Sequence, residues 1–303
     1  MVTDITRYLQ IWSAVGKEEP NLETDVGHIQ VLLRLTGRRG THSLAVDGKA
    51  GPALIDTISA FQKEVMKVPA DGKVEPASAT FRALLEAAGP KIQQQTRFPA
   101  GNGHRGHLTN ADYAHAAGAI GCKIEAVKAV SEVESMGAPF LPSGKPKILF
   151  EPHIFGKKTH HRYDVSFPDV SCRHRLPRGH GVHEYGNLED QWTKLKLAAL
   201  LDREVAIESA SWGRFQIVGK NWEQTGAKSL DAFLIGMFTS ERSQLDGFVT
   251  FVKNKRLDGP LKRLDWPAFA SGYNGSDFHR DNYDGKIAQK YRALVHAVTV
   301  AAR

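Results

Sequence analysis

Hydrophobic residues recur at helical spacing along most of the chain, and short turns rich in glycine and proline separate these stripes. Stripes that begin at Val26, Leu54 and Phe81 predict three helices in the first ninety or so residues. Longer stripes recur beyond residue 109, and one short apolar run, Ile148–Phe150, predicts a strand. The pattern therefore predicts a mainly α protein with a small amount of sheet.

Turn signals indicate how this helical chain is divided. Asp47-Gly48 and Asp71-Gly72 each precede a helical stripe, which indicates a weak repeat of a turn and a helix. Gly89-Pro90 predicts the end of the third helix, and the polar, glycine-rich residues 89–108 predict a linker. Thr109 then has the character of a helix N-cap. The sequence thus predicts a small helical domain at 1–88 and a larger domain at 109–303.

Glu134 interrupts one of the apolar stripes. Ile124, Val127 and Val130 share a helical face, and Glu134 falls on that face, whereas Glu132 falls on the polar face. Burial of an unpaired carboxylate is costly and favours its protonated form, which is the form that a glycosidase uses as its general acid. A buried glutamate with a structural role is the alternative, and the local pattern leaves both open.

The charge balance indicates which partners the protein could bind, and says little about its fold. A formal net charge of +7 and a sequence pI near 9.3 favour contact with polyanions, although a mildly basic protein without such a ligand is also consistent with them. No zinc finger, RNP motif or continuous basic helix is visible, so we expect no nucleic acid partner. The basic residues 286–303 could contact anionic envelope lipid. We favour the alternative, in which they form a closing core helix with a basic outer face.

The N-terminus lacks the basic and apolar regions of a signal peptide, so we expect synthesis and retention in a cytoplasm. Two cysteines, Cys122 and Cys172, are too few for a disulfide framework and are expected to be free. Histidines cluster in residues 153–183 beside Cys172 and could suggest zinc. HExxH and paired CxxC motifs are absent, and nearby arginines oppose a cation, so we expect no metal and no cofactor.

Ordered motifs in the first ninety residues resemble the peptidoglycan-binding domain family of cell-wall hydrolases. They are Asp47-Gly48 with Gly51-Pro52, Ala60-Phe61-Gln62, and Asp71-Gly72. Ala53-Leu54 stand where the family usually has a threonine, a minor departure. The resemblance implies a three-helix bundle that binds wall polymer, and it implies wall-binding roles for the following residues: Asp47, Gly48, Phe61, Gln62, Asp71 and Gly72.

Three later segments, residues 132–137, 209–219 and 269–275, resemble in order and character the goose-type lysozymes and lytic transglycosylases. With residues 146–155 added, the chain is most similar to the N-acetylmuramidase domain of modular phage endolysins, over about residues 110–300. The resemblance implies a lysozyme-like α-helical (α+β) domain in which Glu134 is the general acid/base. It also implies a substrate-binding cleft formed by Ser135, Trp212, Gln216, Tyr273 and Asn274. Taken singly, Trp212 suits a buried core position and Tyr273-Asn274 an ordinary turn.

A glycosidase usually needs a second carboxylate, and Glu151 is our leading candidate because it ends the predicted strand. A buried salt bridge is its structural alternative, and three weaker candidates are Asp164, Asp169 and Glu208. If no second carboxylate faces Glu134, a lone acid/base could close a sugar hydroxyl onto the anomeric carbon, as in a lytic transglycosylase.

The resemblances together imply a monomeric endolysin that acts on bacterial peptidoglycan after release from the host cytoplasm. It would hydrolyse the β-1,4 bond between N-acetylmuramic acid and N-acetylglucosamine. Three alternatives stay open: a lytic transglycosylase on the same bond, a zinc-dependent wall peptidase, and a wall-binding protein without catalysis.

Overall fold

The computed structural model describes residues 4–100, 106–135, 138–175, 186–275 and 282–301. The chain divides into two compact units, which we call unit 1 (Met1–Phe98 and Phe150–Ala210) and unit 2 (Pro99–Leu149 and Ser211–Arg303). Unlike the predicted domains, each unit is assembled from two separate stretches of sequence.

Helices account for most of the described residues, so the predicted mainly α class is confirmed. The α-helices, in chain order, are α1 Glu23–Leu35, α2 Pro52–Phe61, α3 Ala79–Gln95, α4 Asn110–Ile120, α5 Ile124–Ser135, α6 Pro152–Lys158, α7 Leu188–Leu201, α8 Arg203–Glu208, α9 Leu230–Thr239, α10 Glu241–Asn254, α11 Asp258–Arg263, α12 Trp266–Asn274 and α13 Tyr283–Ala301. Shorter helical segments are the 3-10 helices Asp4–Leu9 and Gly219–Thr225 and the π-helix Gln62–Met66. None of the helices in the described ranges combines the length and the apolar character needed to cross a bilayer.

The strands are short. In unit 1, β1 (Val15–Gly16) and β2 (Lys73–Val74) pair antiparallel, with Val15 opposite Val74. A second sheet has the order β3 (Ile148–Phe150), β4 (Ala210–Trp212), β5 (Ile217–Val218), and β4 and β5 pair antiparallel. The predicted strand at Ile148–Phe150 is therefore confirmed.

Unit 1 is built around the three predicted N-terminal helices. Their apolar stripes are buried, as shown by Ile29 in α1, Ile58 in α2 and Leu84 in α3, all fully inaccessible. Helix α7, from the second stretch of the unit, packs on α1 and on α3, and its Trp192 meets Phe98 edge-on with ring centroids 5.3 Å apart. Residues 150–210 thus complete the core that the first 98 residues begin.

Helix α3 continues through Gly89 and Pro90 to Gln95, so the prediction that this pair ends the helix is wrong. A proline inside a helix removes one hydrogen bond and costs about 3 kcal/mol. Here the buried stripe continues past it, because Ile92 lies on the same face as Ala88 and is fully inaccessible to solvent. Burial of this last turn offsets the local cost, and residues 89–95 are helix rather than linker.

The two predicted Asp-Gly turns have the same architecture. The Gln30 side chain accepts from the backbone N–H groups of Asp47 and Gly48 and donates to the Asp47 carboxylate, at 2.8 to 3.0 Å. Gln62 does the same for Asp71 and Gly72, at 2.6 to 3.1 Å. The repeat seen in the sequence is therefore a repeat of one buried hydrogen-bonded clamp.

Unit 2 places α5 between α4 and α13, and α10 packs on α4. Thr109 and Asp112 form the capping box of α4, which confirms the N-cap predicted at Thr109. Hydrogen bonds from Thr109 lower the pKa of Asp112 to about 2, so the cap is ionised at neutral pH. In α13, Ile287 and Tyr291 are buried, so this helix closes the core of the unit as the sequence favoured.

Candidate active site

Glu134 lies in the last turn of α5 with 6% of its surface exposed. Val127 and Val130, on the same face, are fully buried, as the apolar stripe predicts. The Glu132 side chain is 39% exposed and pairs with Lys290 of α13 at 2.6 Å. Helical phase therefore distinguishes the two glutamates as the sequence indicates: one faces the interior of unit 2 and the other faces solvent.

Helix α12 brings an amide and a phenol to Glu134. Asn274 Nδ2 donates to Glu134 Oε1 at 3.4 Å, at the long end of hydrogen-bond distances. Its neighbour Tyr273 donates its hydroxyl to the Phe215 carbonyl at 2.6 Å. Burial, with the negative charge of Glu134 as a second cause, raises the pKa of Tyr273 well above 10. The phenol is therefore a neutral, fixed hydrogen-bond donor at neutral pH.

The tight turn between β4 and β5 carries Gln216. Gln216 has φ 46°, in the left-handed region that non-glycine residues rarely adopt, and its side-chain amide donates to the Gly213 carbonyl at 2.8 Å. Gly213 has φ 68°, and a Cβ there would lie 2.6 Å from the Gln244 side chain. The turn thus needs glycine at its start, and it holds Gln216 in a strained conformation, as functional sites often do.

A buried ionic network lies behind this turn. Arg214 donates from Nε and Nη2 to Glu241 Oε2 at 3.0 and 2.5 Å, and from Nη1 to Ser131 Oγ at 3.3 Å. Ser131 is one turn before Glu134 on α5 and is fully buried; its hydroxyl also lies 2.9 Å from Tyr113 Oη. The β4–β5 turn, α5 and α10 therefore meet at one guanidinium group.

Sequence reasoning did not identify Arg214, Glu241 or Ser131. Arg214 lies inside the motif at 209–219 and could have been singled out as a charged residue among small and apolar ones. Glu241 gives no such signal, because a glutamate in the first turn of a helix is common on helix electrostatics alone. Its pairing with Arg214 depends on a contact between distant parts of the chain.

One predicted cleft residue has no exposed surface. Trp212 is fully buried in the core of unit 2 and packs edge-on against Phe233, with centroids 6.3 Å apart. The buried ring suits the core position that the sequence also allows. Its predicted part in substrate binding stays a prediction. The Ser135 side chain lies outside the described residues, so its predicted place in the substrate-binding cleft stays a prediction.

Glu151 lies in unit 1, where it is the N-cap residue of α6 and is 4% exposed. Its backbone N–H donates to the Ser209 carbonyl at 2.9 Å, and its Oε2 lies 3.5 Å from His153 Nδ1. The residue is therefore a second buried carboxylate near the end of a strand, as expected. Its predicted part in catalysis stays a prediction.

The residues given wall-binding roles by resemblance have structural tasks in unit 1. Phe61 and Gln62 are each 2% exposed, and Gln62 clamps the Asp71-Gly72 turn. Asp47 Oδ1 accepts from the Gln30 amide and from the backbone N–H two residues later in the chain. Asp71 Oδ1 accepts in the same way from the Gln62 amide and from the backbone N–H two residues later. These side chains stabilise the turns, and Asp47 and Asp71 are also exposed. Their predicted wall-binding roles stay predictions.

The histidine-rich region contains a local polar cluster. Asp164 accepts from Ser171 Oγ at 2.5 Å, and its other oxygen lies 3.1 Å from His161 Nδ1. Cys172, a free thiol, donates to the His174 carbonyl at 3.1 Å. Within the described ranges, no three His, Cys, Asp or Glu side chains come together as a metal site would require. His180 and His183 lie outside those ranges.

Comparisons with known proteins indicate the family of the chain. The family described as Muramidase, N-acetylmuramidase, matches residues 123–295, more than half of the chain. The crystal structure of Burkholderia AP3 phage endolysin is similar to this chain with 30% sequence identity and a TM-score of 0.55, over 95% of this chain and 100% of that chain. No curated protein sequence matches the chain. The chain therefore belongs to the N-acetylmuramidase family.

Proposed function

We propose that this protein is an endolysin that cleaves bacterial peptidoglycan by hydrolysing the β-1,4 bond between N-acetylmuramic acid and N-acetylglucosamine. The observation that carries the proposal is Glu134, a buried carboxyl at a helix end with an amide and a fixed phenol beside it. Membership of the N-acetylmuramidase family and the likeness to a phage endolysin support it.

In the proposed reaction Glu134 protonates the glycosidic oxygen as the bond to the anomeric carbon breaks, and then accepts a proton from the attacking water. Asn274, donating to Oε1, orients the carboxyl group. Gln216, on the turn tied to α12 through the Tyr273 hydroxyl, offers an amide that suits the N-acetyl group of the sugar.

Substitution of Glu134 tests the catalytic proposal. We expect Glu134→Gln to abolish wall lysis, because an amide cannot transfer the proton, and to leave wall binding unchanged. Glu132→Gln is the matched control on the exposed face of the same helix, and it should retain most activity. Turbidity of a wall suspension measures lysis, and pelleting with wall measures binding. Lysis by a folded Glu134→Gln protein would contradict the assignment of Glu134 as the catalytic acid. Loss of lysis in Glu132→Gln alone would indicate that Glu132 is the catalytic residue instead.

A lytic transglycosylase is the second candidate, favoured if Glu134 acts without a second carboxylate. Mass spectrometry of the released glycan separates the two, because hydrolysis leaves reducing ends and transglycosylation leaves anhydro ends. The same assay on Glu151→Gln shows whether that carboxyl takes part: loss of hydrolysis with binding retained is the expected result if it does.

We further propose that unit 1 binds the wall. Among the described residues of unit 1, the most exposed large apolar side chain is Trp12, at 87% exposure, whereas tryptophan is usually highly buried. The fully buried Asp25 accepts from the backbone N–H groups of Trp12 and Ser13 at 3.1 and 2.8 Å, so the chain carrying the indole is held firmly. A rigidly mounted aromatic ring suits stacking on the apolar face of a sugar.

Pelleting with purified wall tests this second proposal. We expect Trp12→Ala to lower wall affinity about fivefold or more, and Trp12→Phe to retain part of it, because hot-spot aromatics contribute about 1–2 kcal/mol or more. Ile235→Ala, another exposed apolar residue but in unit 2, is the matched control and should bind normally. Unchanged affinity of a folded Trp12→Ala protein would exclude the indole as a wall contact.

A further inference from the structure

The charged network behind the β4–β5 turn is more enclosed than a surface ion pair. The side chains of Arg214 and Glu241 are 13% and 4% exposed, and Ser131 is fully buried. Breaking a buried pair is strongly destabilising, yet well-packed apolar residues of similar size would often be equally or more stable in its place. Stability is therefore a weak explanation for charges at this position, and geometry is a stronger one.

Arg214 has the shape that such a geometric role requires. Its guanidinium is planar and donates in fixed directions, two bonds towards Glu241 on α10 and one towards Ser131 on α5. Its backbone N–H donates to Gln244 Oε1 at 2.7 Å, one turn after Glu241. The residue is thus fixed at both backbone and side chain. A lysine could supply the positive charge but not the rigid, planar set of N–H donors.

Contacts run from Arg214 to Glu134 along two routes. Through Ser131, the guanidinium contacts α5 one turn before Glu134. Through the turn itself, the next residue, Phe215, accepts from Tyr273, whose neighbour Asn274 donates to Glu134. A shift of the turn relative to α5 would therefore change both the place of Gln216 and the support of the Glu134 carboxyl.

We propose that Arg214 is a positioning residue, which holds the turn bearing Gln216 in register with the helix bearing Glu134. This inference rests on the proposed function for its effect on catalysis. It also accounts for the strained backbone of Gln216, because a left-handed glutamine persists only where its surroundings over-determine the turn. Glu241 anchors the guanidinium, and Ser131 transmits its position to α5.

Steady-state kinetics on soluble glycan strands test the proposal. We expect Arg214→Lys and Arg214→Gln to lower kcat about 10- to 100-fold, Lys less than Gln, with KM changed by less than about threefold, as for other supporting residues around reactive groups. Ser131→Ala is the milder variant, which keeps the ion pair and should lower kcat by about three- to tenfold. This variant still tests the proposal if the Arg214 variants do not fold.

Arg242→Gln is the matched control. Arg242 is the neighbour of Glu241 on α10 and joins Asp112 of α4 at 2.7 Å, so it also ties α10 to another helix, but its side chain is 42% exposed. Its loss should leave kcat within about twofold, like that of other exposed ion pairs. A folded Arg214→Gln and a folded Ser131→Ala with the kcat of wild type would overturn the proposal.

A second readout does not depend on turnover. The side-chain amide resonances of Asn274 should shift in Ser131→Ala and Arg214→Lys, and should not shift in Arg242→Gln. If the wild-type protein releases no glycan fragments, the proposed function fails, and these resonances then decide the positioning role: a shift in Ser131→Ala supports it, and unchanged resonances in both variants overturn it.

Discussion

At the scale of single residues, one side chain of the site has an ionisation that is set by burial. This side chain is Tyr273: burial, with Glu134 nearby, raises its pKa well above 10. In the unfolded chain a tyrosine has a pKa of about 10. Below that pH both states hold the proton, and above it the unfolded state loses its proton first. The free energy of unfolding should therefore fall as pH rises above about 10.

Tyr273→Phe should flatten this alkaline loss, because phenylalanine has no proton to lose. We expect the slope between about pH 10 and 11 to decrease by up to about 1.4 kcal/mol per pH unit. At pH 8 the variant should be less stable by about 1–3 kcal/mol, since the Phe215 carbonyl loses its donor. Denaturant titrations of both proteins at each pH measure this, and parallel curves would contradict it.

Single residues show most clearly which features of the site can be predicted from the sequence. The burial of Glu134 was predicted by helical phase, which depends on residues close along the chain. Tyr273 and Asn274 were singled out by a short motif, and the roles of all three in the site stay predictions. The burial of Trp212 could not be decided from the sequence, because an aromatic residue in a motif suits a cleft and a core equally well. Arg214 was missed because its partners, Ser131 and Glu241, come from distant parts of the sequence.

At the scale of elements, helices were predicted well where burial and local pattern agree. Helix α3 shows the limit: Gly89-Pro90 is a strong local stop signal, but the tertiary burial of Ile92 outweighs it. The Asp71-Gly72 turn was predicted, but its hydrogen bonds to the Gln62 side chain were not. The partner of that glutamine is set by the packing of the unit rather than by the local sequence.

Two helical glycines give opposite expectations on substitution. A Cβ at Gly118 of α4 would meet no atom within 4 Å apart from its own helix backbone and chain neighbours, so Gly118→Ala should stabilise unit 2 by about 0.5–1 kcal/mol. A Cβ at Gly27 of α1 would lie 2.4 Å from Ser166 Cβ, so Gly27→Ala should destabilise unit 1 by about 1–3 kcal/mol. Thermal melting of the two variants measures the signs, and equal shifts would contradict the packing of α1 on residue 166.

At the scale of the whole molecule, the formal net charge of +7 predicts how the protein responds to salt. A bacterial envelope is anionic, and salt screens such attraction within a Debye length of about 10 Å at 0.1 M. We expect lysis of whole wall to slow severalfold between about 0.05 and 0.5 M NaCl, while cleavage of short soluble glycan strands, which carry far fewer charges, changes less. An equal loss on both substrates would indicate an effect of salt on the enzyme rather than on attraction to the wall.

The interleaving of the two units along the chain has a consequence for synthesis on the ribosome. Residues 1–98 emerge first, but α7, which packs on α1 and α3, emerges roughly a hundred residues later. In unit 2, α5 likewise lies in the first stretch of the unit, and its packing partner α13 is synthesised only near the C-terminus. Domains usually form as units as they emerge. Here each nascent unit must keep apolar helix faces uncovered while part of the other is being made, and neither core can close until translation is well advanced.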